Sequence, residues 1–315
     1  MTKLFYKKEI LVVALITIAI VVAVFLGSRG EQSKTDTNKD KILVMTTFYP
    51  LQYVATKVGG NLVDVQNLVP SGVESHDFEP SARDFARLTT VDLFVYNGAD
   101  FEAWTRRWEK GSQIDPRKNI NMANELQTRQ VDLIKTEGGV DPHFWLDPAI
   151  LKKEAEIVRD RLIEIDPLHK DIYTLNTQKF LMELHELDLR FRTELDSCDI
   201  REVIVLHEAF NYIAGQYKFK ATAIAGISPE EEPSPRQIIE IINIARKNNI
   251  THIFSETIAS PKFTDLVARE VGAQTLILNP VESLTQDEVQ LGKDYVSIMQ
   301  MNLENLKKAM VCKNR

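Results

Sequence analysis

Residues 166–198 read DPLHKDIYTLNTQKFLMELHELDLRFRTELDSC, a helical pattern that contains no Gly and whose only Pro is at its second position. Asp166 suits an N-cap, and Pro167 suits the first helical position. Leu, Ile and Phe then recur at helical spacing until the segment ends near Cys198. About 28 helical residues would make a rod of roughly 40 Å. The pattern predicts one long, rigid helix between two halves of the chain. The alternative is an ordinary surface helix of above-average length.

Short apolar runs bounded by turn residues lie on both sides of this helix, and helical patterns separate most of them. This alternation favours βα units with largely parallel sheets. We therefore predict an α/β fold with two lobes, each with a small, mainly parallel four-stranded sheet, joined by the long helix. The helical patterns lie at 82–89, 150–164, 235–247, 261–271 and 286–309. The predicted strands lie near Ile42–Thr46, Val63–Leu68, Leu93–Tyr96, Gln130–Ile134, Val203–Leu206, Ala221–Ala225, His252–Phe254 and Gln274–Leu278.

The N-terminus has the composition of an export signal. Lys3, Lys7 and Lys8 precede an apolar run from Ile10 to Leu26, and small residues follow. This run of 17 residues is at the short limit for a membrane span, so an uncleaved anchor is the alternative. Either interpretation places the protein outside the cytoplasm. The predicted segments are 1–28, a signal peptide or N-terminal membrane anchor; 29–41, a polar linker; 42–165, an N-terminal α/β lobe; 166–197, the linking helix; and 198–315, a C-terminal α/β lobe.

Charge and composition exclude several functional classes. The chain has 315 residues, of which 44% are hydrophobic and 26% charged, as in globular proteins. The first 41 residues carry a net charge of +3, so the −7 of the whole chain leaves −10 on residues 42–315. This acidity, without any basic stripe, argues against nucleic-acid binding. The sequence has no P-loop or dinucleotide-binding motif. A transport role would therefore need a separate motor protein.

Two cysteines are present, Cys198 and Cys312. An even count in an exported protein suggests one disulfide bond, and two unpaired thiols are the alternative. Their spacing does not fit a zinc-ligand pattern.

Three of the six histidines have surroundings that indicate no special chemistry. His169 and His185 lie among charged residues of the long helix, and His252 begins a strand. We predict exposed positions for the first two and a structural role for the third.

Four other side chains share a different context. His207 follows the first strand of the second half, and His76 lies in the loop after the second strand of the first half. His143 lies between two Asp-Pro steps, and Glu282 follows the last strand. Ligands of open α/β sheets bind outside the carboxyl ends of strands, where loops bring distant residues together. We predict that these residues share a metal site; unrelated loop histidines are the alternative.

The chemistry of this set favours zinc. Three imidazoles and one carboxylate suit tetrahedral Zn²⁺, whereas two histidines with two carboxylates would favour Mn²⁺. Four protein ligands leave no position for a reacting water, which catalytic zinc sites require. The predicted role is capture of the ion, and no enzymatic activity is expected.

Five motifs in order resemble the zinc/manganese-specific solute-binding proteins of bacterial ABC transporters, the metal-binding cluster that forms solute-binding family 9. The resemblance extends from about Ile42 to the C-terminus. Four motifs look like the ligand loops of the family, and the motif at 226–235 looks like a loop that frames the metal cleft. The motifs are Gly72-Val-Glu-Ser-His76-Asp-Phe-Glu-Pro, Asp141-Pro-His143-Phe-Trp-Leu-Asp-Pro, His207-Glu-Ala-Phe-Asn-Tyr212, Asn279-Pro-Val-Glu282-Ser-Leu-Thr and Gly226-Ile-Ser-Pro-Glu-Glu-Glu-Pro-Ser-Pro235.

The resemblance implies two α/β lobes joined by one long helix, with the metal buried between them. It implies that His76, His143, His207 and Glu282 are the ligands, and that His207 makes the chain a zinc-type member. It further implies that the protein delivers Zn²⁺, or alternatively Mn²⁺, to an ABC permease and its ATPase. The protein is expected to be a monomer, and its N-terminal segment is expected to associate it with the membrane. A metal-stabilised surface adhesin on the same fold is the alternative.

The sequence also departs from the family pattern. Ser75 replaces the usual Pro before the first histidine, and residues 119–138 contain no histidine-rich loop. Ser28 stands where lipoproteins of the family carry their lipidated cysteine. Similar sequences often carry a cysteine pair at the positions of Cys198 and Cys312, so the resemblance favours the disulfide.

Overall fold

The computed structural model describes residues 41–111, 115–136 and 138–313. The predicted signal or anchor at 1–28, and the linker at 29–41 except its last residue, lie outside the described residues. From Ile42 onward the chain forms one compact unit. Within the described ranges, no helix has both the length and the hydropathy that a membrane span requires.

Four parallel strands form the first sheet: β1 (Ile42–Thr46), β2 (Val63–Asn67), β3 (Leu93–Tyr96) and β4 (Asn119–Asn121). They lie in the order β2-β1-β3-β4. Every residue of β3 is buried, as expected for an inner strand of a parallel sheet that is covered on both faces. Because the strands are parallel, their carboxyl ends meet at one edge of the sheet.

The fourth strand differs from the sequence prediction, which placed it wrongly at Gln130–Ile134. That segment begins with Gln130 in the left-handed region, at φ 61°, and continues as a loop. The N–H of Ile134 donates to the hydroxyl of Tyr212 instead of to a strand. The apolar side chains of this loop still pack against the core, which explains its strand-like composition. In the actual β4 only Ile120 is buried, so hydropathy could not reveal that strand.

The first half also contains a short hairpin and five helices. The hairpin pairs β5 (Lys135–Thr136) with β6 (Gly139–Val140) and leads into the loop that carries His143. The helices are α1 (Tyr49–Gly59), α2 (Ala82–Leu88), α3 (Thr105–Gly111), α4 (Met122–Thr128) and α5 (Pro148–Ile165).

Four parallel strands form the second sheet as well, where the sequence predicts them: β7 (Glu202–Val205), β8 (Lys220–Ala223), β9 (His252–Ser255) and β10 (Gln274–Ile277). Their order is β10-β9-β7-β8. The two central strands, β7 and β9, end directly before the segments that contain His207 and Glu256. This arrangement brings polar side chains to the carboxyl edge of the sheet.

The long helix predicted from the sequence is present as α6 (Lys170–Glu194). A single 3-10 turn at Pro167–His169 separates it from α5. Asp166 precedes the 3-10 turn instead of α6, and its side chain makes no capping hydrogen bond. Its carboxylate pairs with His169 and accepts from the hydroxyl of Tyr173. α6 packs against α1 and α5 of the first half. One face of α6 therefore belongs to the core, and the helix is more than a surface element.

The remaining helices complete the second half: α7 (Asn211–Gln216), α8 (Pro235–Lys247), α9 (Lys262–Val271), α10 (Gln286–Gln290) and α11 (Tyr295–Ala309). The helical pattern predicted over 286–309 is divided, because Gly292 adopts φ 64° between α10 and α11. Asp294 then starts α11 with a capping box shared with Ser297. α11 packs against α6, so the long helix contacts both halves of the chain.

A disulfide bond joins Cys198 and Cys312, which are 114 residues apart in sequence. The two residues also form an antiparallel bridge, which ties the segment before β7 to the end of α11. Closing so long a loop restricts the unfolded chain and contributes roughly 4–5 kcal/mol on the chain-entropy account.

Candidate metal centre

The four side chains predicted from the sequence lie together in the structure. One potential ligand atom from each of His76, His143, His207 and Glu282 lies within 4.8 Å of the others. We call these four residues the His/Glu cluster. His143 and His207 are fully buried, and Glu282 is 5% exposed. Such a buried concentration of ligand-type atoms could hold a metal ion.

Four of the six distances within the His/Glu cluster are close to those of a tetrahedral site. Oε1 of Glu282 lies 3.5 Å from Nε2 of His76, 3.7 Å from Nε2 of His143 and 3.4 Å from Nε2 of His207. The Nε2 atoms of His76 and His143 are 3.3 Å apart. Ligands that are each about 2.0–2.2 Å from a tetrahedral zinc ion are roughly 3.3–3.6 Å from one another. The spacing thus leaves room for one ion among the four atoms.

Two atoms of the cluster lack the hydrogen bonds that burial normally demands. Nε2 of His207 and Oε1 of Glu282 are buried and have no hydrogen-bond partner. Buried polar atoms without partners are rare in folded proteins, and each calls for an explanation. A cation at the centre of the cluster would satisfy both atoms, so the residues present fit a metal ion.

Two carboxylates outside the cluster orient its histidine rings. Nδ1 of His207 lies 2.7 Å from Oε1 of Glu256, and Nδ1 of His143 lies 2.9 Å from Oδ1 of Asp141. In each pair Nδ1–H donates to the carboxylate, so Nε2 is the nitrogen directed into the cluster, and its lone pair is available whenever the ring is neutral. Metal-binding histidines commonly have such partners, which fix the tautomer and make the ring a better ligand.

The ionisation of His143 and Glu282 suits a cation, whereas His207 must lose a proton before it can bind one. Burial lowers the pKa of His143 to about 4, although its hydrogen bond with Asp141 acts in the opposite direction. Burial also opposes protonation of His207, but Glu256 and Glu282 outweigh it and raise the pKa of His207 well above its usual value. Burial alone would raise the pKa of Glu282, yet His76 and His207 hold it below its usual range. Glu282 is therefore a carboxylate at neutral pH.

The strand-end rule explains most of this arrangement. His207 follows β7 after one residue, His76 lies in the loop after β2, and Glu282 lies in the loop after β10. His143 arrives by another route, between the β5-β6 hairpin and α5. Asn97, directly after β3, fixes that loop because its Nδ2 donates to the carbonyl of Pro142 at 2.9 Å. Strand ends of both sheets thus contribute to one site.

Aromatic rings form one wall of the cluster. The ring of Phe101 is 4.6 Å from that of His76, and the ring of Trp145 is 5.2 Å from that of His143, measured between centroids. Phe101 follows a left-handed turn, and the buried carboxylate of Glu102 holds that turn by accepting from the N–H groups of Asn97 and Gly98. These apolar walls keep water from the histidines and strengthen electrostatic interactions there.

The three histidines for which the sequence predicts no metal binding lie outside the cluster. His169 pairs with Asp166, His185 is exposed, and Nδ1 of His252 is 2.9 Å from the hydroxyl of Thr251. The motif at 226–235 approaches the site through Gly226, whose carbonyl accepts from the N–H of Glu208.

Sequence reasoning missed the residues that support the ligands. Glu256 was findable, because it directly follows β9 at the same sheet edge as His207. Asp141 lies only two residues before His143, within the motif already singled out. Asn97 also follows a predicted strand. The strand-end rule therefore points to Glu256 and Asn97 as well as to the ligands.

Solved structures share this fold. The Zn(II)-bound ZnuA-like domain of Streptococcus pneumoniae AdcA is similar with a TM-score of 0.74 and 33% sequence identity, over 86% of this chain and 99% of that domain. The laminin-binding protein Lmb of Streptococcus agalactiae, described as having adhesin and metal-transporting activity, is similar with a TM-score of 0.75 and 32% identity, over 85% of this chain and 99% of that one. The fold is therefore that of the ZnuA-like solute-binding proteins.

The family model described as zinc-uptake complex component A, periplasmic, matches residues 44–309, and the chain belongs to this family. It is 34% identical to the high-affinity zinc uptake system protein ZnuA of Bacillus subtilis, over 91% of this chain and 93% of that protein. It is 32% identical to the zinc-binding lipoprotein AdcA of Streptococcus pneumoniae, over 92% of this chain. The match spans 59% of the length of AdcA.

Proposed function

We propose that this protein captures Zn²⁺ outside the cytoplasm with His76, His143, His207 and Glu282 and delivers it to an ABC permease and its ATPase. The observation that carries the proposal is the convergence of three Nε2 atoms on one carboxylate oxygen, with Nε2 of His207 and Oε1 of Glu282 left unpartnered. The names of the relatives, which refer to zinc uptake and zinc binding, support the same role.

The ligand set supports a carrier in preference to an enzyme. Three imidazoles and one carboxylate fill all four positions of a tetrahedral zinc ion. A catalytic zinc site keeps one position for water or substrate. Zn²⁺ is preferred over Mn²⁺ as cargo, because imidazole nitrogen suits zinc and oxygen-rich sites suit manganese.

Capture follows from the electrostatics of the cluster. The buried carboxylate of Glu282 attracts the cation, and the ion exchanges its water for the imidazoles and this carboxylate. Only a neutral ring binds a metal, so binding displaces the proton that His207 holds between Glu256 and Glu282. Affinity therefore falls as the solution becomes more acidic.

The rest of the proposal concerns location and organisation. We propose that residues 1–28 export the protein or anchor it, that residues 29–41 tether it, and that 42–165 and 198–315 are lobes linked by 166–197. A disulfide agrees with an oxidising compartment. The protein is proposed to act as a monomer that docks on the permease.

Two measurements test this function. Elemental analysis of the protein purified from its native envelope should find zinc at about one ion per chain. Finding manganese instead would identify manganese as the cargo. Calorimetric titration should show tight zinc binding to the wild type and greatly weakened binding to the His143→Ala, His207→Ala double variant. Undiminished binding by that variant would refute the site.

Transport is favoured over the adhesin alternative, because the family model and both relatives are named for zinc uptake or zinc binding. Deletion of the gene separates the two roles. A carrier's loss slows growth when zinc is limiting, and added zinc restores growth. An adhesin's loss leaves zinc-limited growth unchanged.

A further inference from the structure

The residue before Glu282 has a strained backbone. Val281 adopts φ 60°, in the left-handed region, where a β-branched residue is a genuine outlier. It follows Pro280, and a Pro followed by a residue with positive φ is typical of type II turns, in which Gly or Asn normally takes the second central position. The side chain of Val281 is fully buried. Such strain persists only where surrounding contacts hold it.

Buried side chains from two distant elements supply those contacts. Asn302 of α11 binds the backbone of Asn279 at both ends of its amide: Oδ1 accepts from the N–H at 2.9 Å, and Nδ2 donates to the carbonyl at 2.7 Å. The side-chain oxygen of Asn279 then accepts from the N–H of Val281 at 2.7 Å. On the other side of the turn, Nε1 of Trp145 donates to the carbonyl of Pro280 at 2.8 Å. The turn is thus held from α11 and from the loop that carries His143, while Nδ2 of Asn279 donates to Oγ1 of Thr257 and Oε1 of Glu288.

We propose that Asn302 is a positioning residue for the metal: acting through Asn279, it keeps Val281 in the left-handed conformation and so directs Glu282 at the three histidines. This inference rests on the proposed function. Without the amide of Asn302, Val281 relaxes to a negative φ. The following peptide then rotates, and the Glu282 carboxylate moves away from the histidine Nε2 atoms. Asn302 therefore sets zinc affinity without contacting the ion.

The neighbourhood of Asn302 offers a matched control. Asn305 lies on the same helix, three residues further on, and its Nδ2 donates to the carbonyl of Ile277 at 2.8 Å. Both asparagines therefore bind backbone near the end of β10. Only Asn302 binds the turn that leads to Glu282. Asn302 is 2% exposed, and Leu has the same γ-branched arrangement of four side-chain heavy atoms, so Asn302→Leu removes both hydrogen bonds while keeping the branched shape.

The test is a double-mutant cycle of zinc affinity, measured by competition with a chelator. Asn302→Leu should weaken zinc binding by about 10- to 100-fold, as loss of an outer-sphere partner does. Glu282→Ala should weaken it as well, and adding Asn302→Leu to Glu282→Ala should cause no further loss, because the two residues act in series. Asn305→Leu should bind zinc as the wild type does.

Cobalt gives a second readout, because its visible spectrum reports coordination geometry. The Co²⁺ spectrum of Asn302→Leu should resemble that of Glu282→Ala, whereas Asn305→Leu should retain the wild-type spectrum. If Asn302→Leu does not fold, Asn302→Asp takes its place in the cycle, because it keeps the Oδ1 acceptor and removes the Nδ2 donor that binds the carbonyl of Asn279.

The outcomes separate the two proposals. Equal losses from Asn302→Leu in the wild-type and Glu282→Ala backgrounds would show general damage and overturn the positioning role. Unchanged affinity in Asn302→Leu, with weakened binding in Glu282→Ala, would overturn it too and leave the proposed function standing. Absence of zinc binding by the wild type would instead refute the proposed function itself.

Discussion

Nδ1 of His207 lies 2.7 Å from Oε1 of Glu256, and both residues are buried. His207 follows β7 and Glu256 follows β9, so adjacent strands of one sheet supply the ring and its partner. The pairing turns Nε2 of the ring toward Glu282, where it has no hydrogen-bond partner. The parallel sheet therefore sets both the position and the tautomer of this histidine.

Removal of that partner charge should weaken zinc binding. Glu256→Gln replaces the carboxylate by an amide, which makes the ring of His207 less basic and fixes its tautomer less firmly. We expect a loss of about 10- to 100-fold in zinc affinity, measured by chelator competition. Glu202→Gln is the control, because Glu202 begins β7 at the end opposite His207 and its carboxylate binds Lys220 and Thr222. Equal affinities in Glu256→Gln and the wild type would contradict the orienting role.

Zinc should stabilise the folded protein through the His/Glu cluster. A ligand that binds only the folded state at about 1,000 times its Kd adds about 4.1 kcal/mol to the free energy of unfolding. Calorimetry should therefore show a higher Tm with zinc than after removal of the metal by a chelator. His207→Ala should lose most of this difference, whereas His185→Ala, which changes an exposed residue, should keep it. An undiminished zinc-dependent shift in His207→Ala would exclude that ligand.

The disulfide should contribute to stability without affecting metal affinity. It closes the chain at Cys198 and Cys312, and β7 separates Cys198 from His207. Replacing both cysteines by Ser should lower the free energy of unfolding by roughly 4–5 kcal/mol, measured by urea titration. Zinc affinity of the folded variant should stay at the wild-type value. A change in zinc affinity comparable to that of a ligand substitution would show that the disulfide also shapes the site.

A second buried carboxyl, outside the cluster, should make stability depend on pH. Glu154 of α5 is fully buried, and neither of its carboxyl oxygens has a hydrogen-bond partner. Burial raises the pKa of this carboxyl well above its usual value. The folded protein therefore keeps a proton that the unfolded chain loses above about pH 4.3. The contribution of this retained proton to the free energy of unfolding is complete below that pH. As the pH rises, the free energy of unfolding decreases by up to about 1.4 kcal/mol per pH unit, until the pKa of Glu154 in the folded protein is reached.

Glu154→Gln should flatten this dependence, because an amide does not titrate. Urea unfolding at several pH values between 5 and 8 should show a smaller decrease in the free energy of unfolding for the variant than for the wild type. Glu156→Gln is the control, since Glu156 pairs with Lys153 on the same helix and remains partly exposed. The same slope in Glu154→Gln and the wild type would show that Glu154 is not the titrating group.

Several features of the fold and the site were predictable because they depend on local sequence. The apolar runs predict β1, β2, β3 and the four strands of the second sheet near their observed positions, and the periodic segment after Pro167 predicts α6. The strand-end rule and the motifs select His76, His143, His207 and Glu282, which the structure brings together. β4 was not predictable, because its one buried side chain, Ile120, produces no periodic pattern.

The sequence alone determined most of the helices and strands, with β4 as the exception, and which residues could bind a metal, since periodicity and residue chemistry are local properties. Only the tertiary structure decided how the candidate ligands are held. Three features depend on packing between elements far apart in sequence. They are the distance of 2.7 Å between Nδ1 of His207 and Oε1 of Glu256, the hydrogen bonds of Asn302 to Asn279, and the left-handed conformation of Val281. No local pattern encodes such contacts, because each exists only when two distant surfaces meet in the folded chain.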